Sequence, residues 1–162
     1  QTVLPPGSIV LKEVPYFEQD DFECGPSALA TVINYWYMRN KTGRSLSLDD
    51  IVSAIYSPTA RGVLGLDLEL YSSRLGFYAT RYSGSIENVR DNIDRGMPLI
   101  ILVDYGMSVY QQNHFLIVKG YAKDGIIVNS GRRENQYVPF EELQRIWRKT
   151  GFWSLLIRPS AS

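Results

Sequence analysis

Residues 19–29 read QDDFECGPSAL and contain Cys24, the single cysteine of the chain. An acidic segment ends here and an apolar segment begins. Gly25 and Pro26 suit the first turn of a helix, because proline lacks the N–H group that this turn leaves unpaired. A thiol at such a position faces unpaired backbone N–H groups and the positive end of the helix dipole, which both favour the nucleophilic thiolate. The stretch predicts a helix that starts with a cysteine nucleophile, and a free cysteine buried as inert core is the alternative.

The pattern of apolar residues predicts helices in the first half of the chain and mostly strands in the second. A helix over 24–40 is apolar nearly all round, and Ser47 and Ser85 are predicted N-caps of two further helices. Apolar residues at helical spacing also predict helices over 64–75 and 140–147. Residues 9–17 are predicted to form an extended segment at the edge of the sheet. Strands are predicted over 77–82, 99–103, 114–121, 125–129, 136–138 and 153–157. This segregation predicts an α+β fold, with a helical N-terminal half packed on a C-terminal antiparallel sheet and a cleft between them.

Size and charge limit the possible classes of function. The 162 residues suit one domain over 1–162, with 1–8 as an irregular lead-in. Seventeen basic and seventeen acidic residues cancel, so nothing indicates a nucleic-acid partner. No apolar run approaches the roughly 20 residues that span a bilayer. One cysteine allows no disulfide within the chain, and both a cytosolic and a periplasmic setting stay open.

His114 is the single histidine of the chain and is predicted to begin a strand just after a polar loop. A residue at a strand end can reach a cleft while the strand fixes its backbone. A single histidine, considered without the cysteine, is more often structural than catalytic. Together, a cysteine at a helix start and a histidine at a strand start, in halves that face each other, fit Cys–His nucleophilic catalysis.

Two further residues complete the hypothesis. Asn129 ends the predicted strand that follows the strand of His114, so a hairpin would bring it near the imidazole, whose N–H its side-chain oxygen could accept. The alternative is that residues 129–131 are merely a turn. The backbone N–H of Cys24 and the side-chain amide of Gln19 are candidate donors to an oxyanion, although a loop glutamine is by default a solvated residue.

Several segments together resemble the C39 and C39-like family of papain-like cysteine peptidases. They are residues 14–19 (VPYFEQ), 23–30 (ECGPSALA), His114-Phe115 with Gly120-Tyr121, and weaker segments at 75–77, 97–100 and 140–147. The resemblance extends from about Val14 to Ile157. In two places the chain departs from the family pattern: the third residue is Asn129, where C39 members usually have aspartate and papain-like enzymes asparagine, and Gln19 is one residue nearer the cysteine than is common.

The resemblance implies a papain-like fold and a cysteine-type peptidase that acts on a peptide or protein. Its site would use Cys24 as nucleophile, His114 as base and then acid, Asn129 as the third residue and Gln19 as oxyanion donor, without metal or cofactor. The sequence resembles the stand-alone, often exported bacterial proteins of this family, and this resemblance favours export over the cytosol. An inactive peptide-binding module of the same fold, or an amidase-type acyl transfer, are the alternatives.

Overall fold

The computed structural model describes residues 3–18, 24–55, 65–107 and 110–160. Its elements, in chain order, are β1 (Ile9–Val10), α1 (Cys24–Arg39), α2 (Leu48–Ile55), α3 (Gly65–Arg74), β2 (Phe77–Ser83), α4 (Ile86–Asp94), β3 (Leu99–Asp104), β4 (Asn113–Ala122), β5 (Gly125–Asn129), β6 (Gln136–Pro139), α5 (Phe140–Arg148) and β7 (Trp153–Pro159). The α+β fold with an antiparallel sheet that the sequence predicts is confirmed. Within the described residues, no helix has both the length and the apolar composition that crossing a membrane requires.

The strands form one antiparallel sheet in the order β2-β7-β3-β4-β5-β6, and β1 pairs with β4 beside this path. The pairing of β2 with β7 brings a strand from the helical half of the chain to the sheet edge. The predicted extended segment over 9–17 contributes only Ile9–Val10 to the ladder. A turn at Lys12–Glu13, where Glu13 has a φ of 62°, ends the pairing.

Each face of the sheet carries its own apolar core. On one face, buried residues of α1, α2 and α3 pack against Ile100, Phe115 and Ile117. On the other, α4 and α5 pack against Ile101, Leu116 and neighbouring strand residues. The sheet is therefore covered on both sides, which explains why β5 is buried along its whole length and β3 everywhere except at the partly buried Leu102. The predicted packing of the N-terminal helices holds, and α4 and α5 add a layer on the opposite face.

Two helix starts are fixed as the sequence predicts. The hydroxyl of Ser47 accepts the Asp50 N–H at 3.1 Å, and the hydroxyl of Ser85 accepts the Asn88 N–H at 3.0 Å. Such caps satisfy N–H groups that the first helical turn cannot pair internally. Short polar side chains thus set where α2 and α4 begin.

Candidate functional site

Cys24 is the first residue of α1, as the sequence predicts. No acidic side chain lies in the first turn of this helix, so the unpaired N–H groups and the dipole act there without a carboxylate of the same turn opposing them. Ser27, Ala28 and Thr31 follow on the face that Cys24 begins, at helical spacings of three, four and seven residues. These three residues line a small cavity between α1 and the sheet.

The first turns of α1 lie against the first half of β4 and against the end of β5. A small cavity is lined by Ser27, Ala28 and Thr31 from α1, by Phe115 and Ile117 from β4, and by Asn129 from β5. Its volume of about 10 Å³ leaves room for about one water molecule. The cavity is therefore a packing gap and not a substrate pocket, but it shows that the segments following Cys24 and His114 are in contact.

His114 is the second residue of β4 and pairs with Val103 of β3. Side chains alternate along a strand, so Phe115 points towards α1 while His114 belongs to the face that carries Tyr105. The imidazole is half-buried at the end of the sheet, and its ring centroid lies 5.4 Å from that of Tyr105 at an interplanar angle of 63°. Cys24 begins the helix that packs on one face of β4, whereas the His114 side chain lies on the face of β4 that carries Tyr105, so a contact between the thiol and the imidazole stays a prediction.

Asn129 ends β5 but pairs with Ile117, three residues along β4 from His114 and roughly 10 Å away along the strand. The sequence placed it nearer His114. The hairpin turns within Lys123–Asp124, because Ala122 already pairs with Gly125, and this short turn together with a bulge between Val118 and Gly120 sets the register.

The oxygen of Asn129 holds a turn. Its Oδ1 accepts the backbone N–H of Asn135 at 3.0 Å, and the Oδ1 of Asn135 accepts a hydrogen bond from Lys119 Nζ at 2.8 Å. Asn129 is only 3% exposed. Its Nδ2 atom is buried and has no hydrogen-bond partner among the described residues. These hydrogen bonds connect the turn over 130–135 to β4 and β5. A contact between Asn129 and the imidazole of His114 stays a prediction.

Burial shapes the charges near this turn. Desolvation lowers the pKa of Lys119, and the negative charge of Glu134 opposes that effect. Desolvation also raises the pKa of Tyr16, which lines the small cavity, with Glu18 and Glu134 adding to the rise. The acidic side chains of this region therefore act on Tyr16 and Lys119.

Gln19 lies outside the described residues. The role of Gln19 as oxyanion donor therefore stays a prediction.

Asp104, which the sequence analysis did not single out, organises the loop before His114. Its Oδ1 accepts the backbone N–H groups of Gly106 and Gln112, both at 2.8 Å, and the side chain is 9% exposed. Lys149 donates to the carbonyl of Gly106. These hydrogen bonds lower the pKa of Asp104 below its usual value, and the charge of Lys149 adds to the effect. An aspartate that ends a buried strand two residues before a glycine is a recognisable turn signal, and this signal could have identified it.

Comparisons with known proteins agree on one family. The Peptidase_C39 like family matches residues 11–155. No curated protein sequence matches the chain.

Solved structures share the fold at low sequence identity. The peptidase domain of Streptococcus ComA, a bifunctional ABC transporter of a quorum-sensing pathway, is 20% identical with a TM-score of 0.70, over 90% of this chain and 97% of that one. A protein described as a C39-like peptidase from Bacillus anthracis is 16% identical with a TM-score of 0.75, over 96% and 99%. A double-glycine-motif protease of an AMS/PCAT transporter, solved with its leader peptide, is 22% identical with a TM-score of 0.68, over 91% and 93%.

We expect the contribution of Asp104 to stability to depend on pH. A carboxyl whose pKa is lowered on folding stabilises the protein above its unfolded pKa of about 4, and this contribution is lost as the pH falls through the folded pKa. Asp104→Asn should therefore lower the melting temperature at pH 7, and the difference from wild type should shrink as the pH falls below about 4. Thermal unfolding at several pH values measures this, and an equal difference at pH 7 and pH 3 would contradict it.

Asn129→Ala should destabilise the fold, because it leaves the Asn135 N–H without its acceptor. The expected loss is about 1–3 kcal/mol, or a fall in melting temperature of about 2–12 °C. Asn40→Ala, at an exposed position, is the control and should change the melting temperature little. An unchanged melting temperature for Asn129→Ala would show that this side chain does not hold the turn.

Proposed function

Because the chain belongs to the Peptidase_C39 like family, we propose that it is a cysteine peptidase that hydrolyses a peptide bond through a Cys24 thiolate. One observation carries the proposal. Ala28, one helical turn after Cys24, and Phe115, the residue after His114, line the same small cavity. The helix α1, which begins with Cys24, therefore packs against β4, which contains His114 near its start.

The environment at the start of α1 supports a nucleophilic thiol. The helix dipole and the unpaired N–H groups of the first turn favour the thiolate, and the first turn holds no acidic residue. An imidazole that takes up the thiol proton would add a positive charge beside the thiolate and lower the pKa of the thiol further.

The proposed reaction proceeds in two stages. The imidazole of His114 takes the proton of Cys24, and the thiolate attacks the peptide carbonyl carbon to form a tetrahedral oxyanion. The backbone N–H of Cys24 and the amide of Gln19 are the proposed donors to this oxyanion. Collapse breaks the C–N bond, and His114 gives its proton to the leaving amine. Water, deprotonated by His114, then cleaves the thioester and restores Cys24.

The proposed substrate is a peptide or protein. One structural relative was solved with a leader peptide and another with a small-molecule inhibitor. The proposal names the substrate class and no particular cleavage sequence.

Reaction with iodoacetamide tests the Cys–His pair before any substrate is known. We expect Cys24 to be alkylated rapidly near pH 6.5, well below the pKa of about 8.5 of a free thiol. His114→Ala should slow alkylation about 10-fold or more, since a rise of one pKa unit reduces the thiolate fraction tenfold. Intact-mass spectrometry follows a single adduct, because the chain has one cysteine. Equal rates in wild type and His114→Ala would refute the pair.

Hydrolysis itself is tested by digestion of a peptide library read by mass spectrometry. The wild type should produce new termini, and Cys24→Ala should produce none while keeping a nearly unchanged melting temperature. Cleavage that persists in Cys24→Ala would remove Cys24 as the nucleophile. If wild-type protein with a rapidly alkylated Cys24 cleaves no peptide, the proposal of peptide hydrolysis fails.

A further inference from the structure

One aromatic contact to His114 lies outside the proposed catalytic set. The ring of Tyr105 lies 5.4 Å from the imidazole, centroid to centroid, in an edge-to-face arrangement. Tyr105 directly follows β3, and His114 is the second residue of β4, so the two are diagonal neighbours on one face of the β3–β4 pair. Residues in this relation are within reach of each other when one is aromatic.

Tyr105 is itself firmly held. Its backbone N–H donates to the carbonyl of Gln112 at 2.8 Å, which extends the β3–β4 pairing past Asp104. Its side chain is half-buried and packs against the core formed with α4 and α5. Desolvation raises the pKa of Tyr105, with the charge of Glu142 of α5 adding to the rise.

Asp104 links the described residues on the two sides of the loop beyond Tyr105. Asp104 accepts the N–H groups of Gly106 and Gln112, one on each side of the loop. A Cβ atom at Gly106 would lie 1.8 Å from the carbonyl oxygen of Tyr110, so the two arms of the loop touch. The backbone that carries the Tyr105 ring is thus held by hydrogen bonds to β4 and to the residues beyond it.

We propose that Tyr105 is a positioning residue for His114: its ring packs against the imidazole and holds it in the orientation from which it exchanges a proton with Cys24. This inference rests on the proposed function, in which His114 is the base. A histidine at a strand end is held by its own backbone, but its ring can still rotate about two side-chain bonds. The Tyr105 ring occupies one side of the imidazole and removes some of these orientations. The contact is made by the ring, so the phenolic hydroxyl is not required.

The single histidine makes the contact directly measurable. In protein labelled at histidine, one imidazole Cε1–H resonance reports on His114. Tyr105→Leu removes the ring and its ring current, so the resonance should move, whereas Tyr105→Phe should leave it near the wild-type position. Tyr110→Leu, at a 71% exposed position of the same loop, is the matched control and should leave the resonance unchanged. If Tyr105→Leu lowers the melting temperature strongly, Tyr105→Met removes the ring while keeping an apolar side chain.

The functional readout is the rate of Cys24 alkylation near pH 6.5, together with turnover of a cleaved library peptide. Tyr105→Leu should slow alkylation and lower kcat about 10-fold with little change in KM, because displacing a reacting group by about 1 Å can cost 10²-fold in rate. Tyr105→Phe should restore both values, and Tyr110→Leu should alkylate at the wild-type rate.

The outcomes separate this inference from the proposed function. An unmoved resonance in Tyr105→Leu overturns the contact, and a moved resonance with unchanged alkylation and kcat overturns the positioning role. A change in KM alone overturns it as well. If His114→Ala is alkylated as fast as the wild type, the proposed function and the positioning role both fall, and the resonance still decides whether the contact exists.

Discussion

The packing of α1 on β4 is the interaction on which the rest of the structure depends. The helix is almost wholly buried, and the strand it covers pairs with β1, β3 and β5. Burial of large apolar side chains contributes about 1.5–3 kcal/mol each, so this interface is a major part of the stability of the fold. The same contact fixes where the first residue of α1 lies relative to the beginning of β4. Stability and the geometry of the candidate site therefore have one physical origin.

Much of the fold could be predicted from residue patterns. A helix that starts at Cys24 is predictable because an acidic loop changes to an apolar run at Gly25-Pro26, and α1 begins at Cys24. Ser47 and Ser85 mark two helix starts, because a serine whose hydroxyl accepts an N–H of the first turn stands directly before the helix in the sequence. The strand of His114 was recognised by its continuous apolar run, which reflects burial on both faces.

The candidate site was less predictable, because side-chain partners depend on register and on contacts between distant segments. Asn129 is a case in point: its partner on β4 depends on the length of a turn and on a bulge, neither of which the apolar pattern encodes. The roles of Tyr105 and Asp104 are hidden in the sequence for a related reason. In the sequence, a tyrosine and an aspartate near the end of a strand look like ordinary loop residues. The pairing of β3 with β4 places Tyr105 beside His114 and lets Asp104 accept the Gln112 N–H from the other side of the loop.

The bulge in β4 gives this sheet a tolerance to changes in chain length at one point. Lys119 is the extra residue there, since Val118 and Gly120 pair with consecutive residues of β5. Without Lys119, each remaining pair between β4 and β5 could keep its partner and its face. The insertion instead supplies a buried ammonium group that bonds to Asn135, outside the ladder. Loss of Lys119 would therefore remove the bond to Asn135 and the carbonyl that accepts the Leu11 N–H, while the pairs between β4 and β5 could stay as they are.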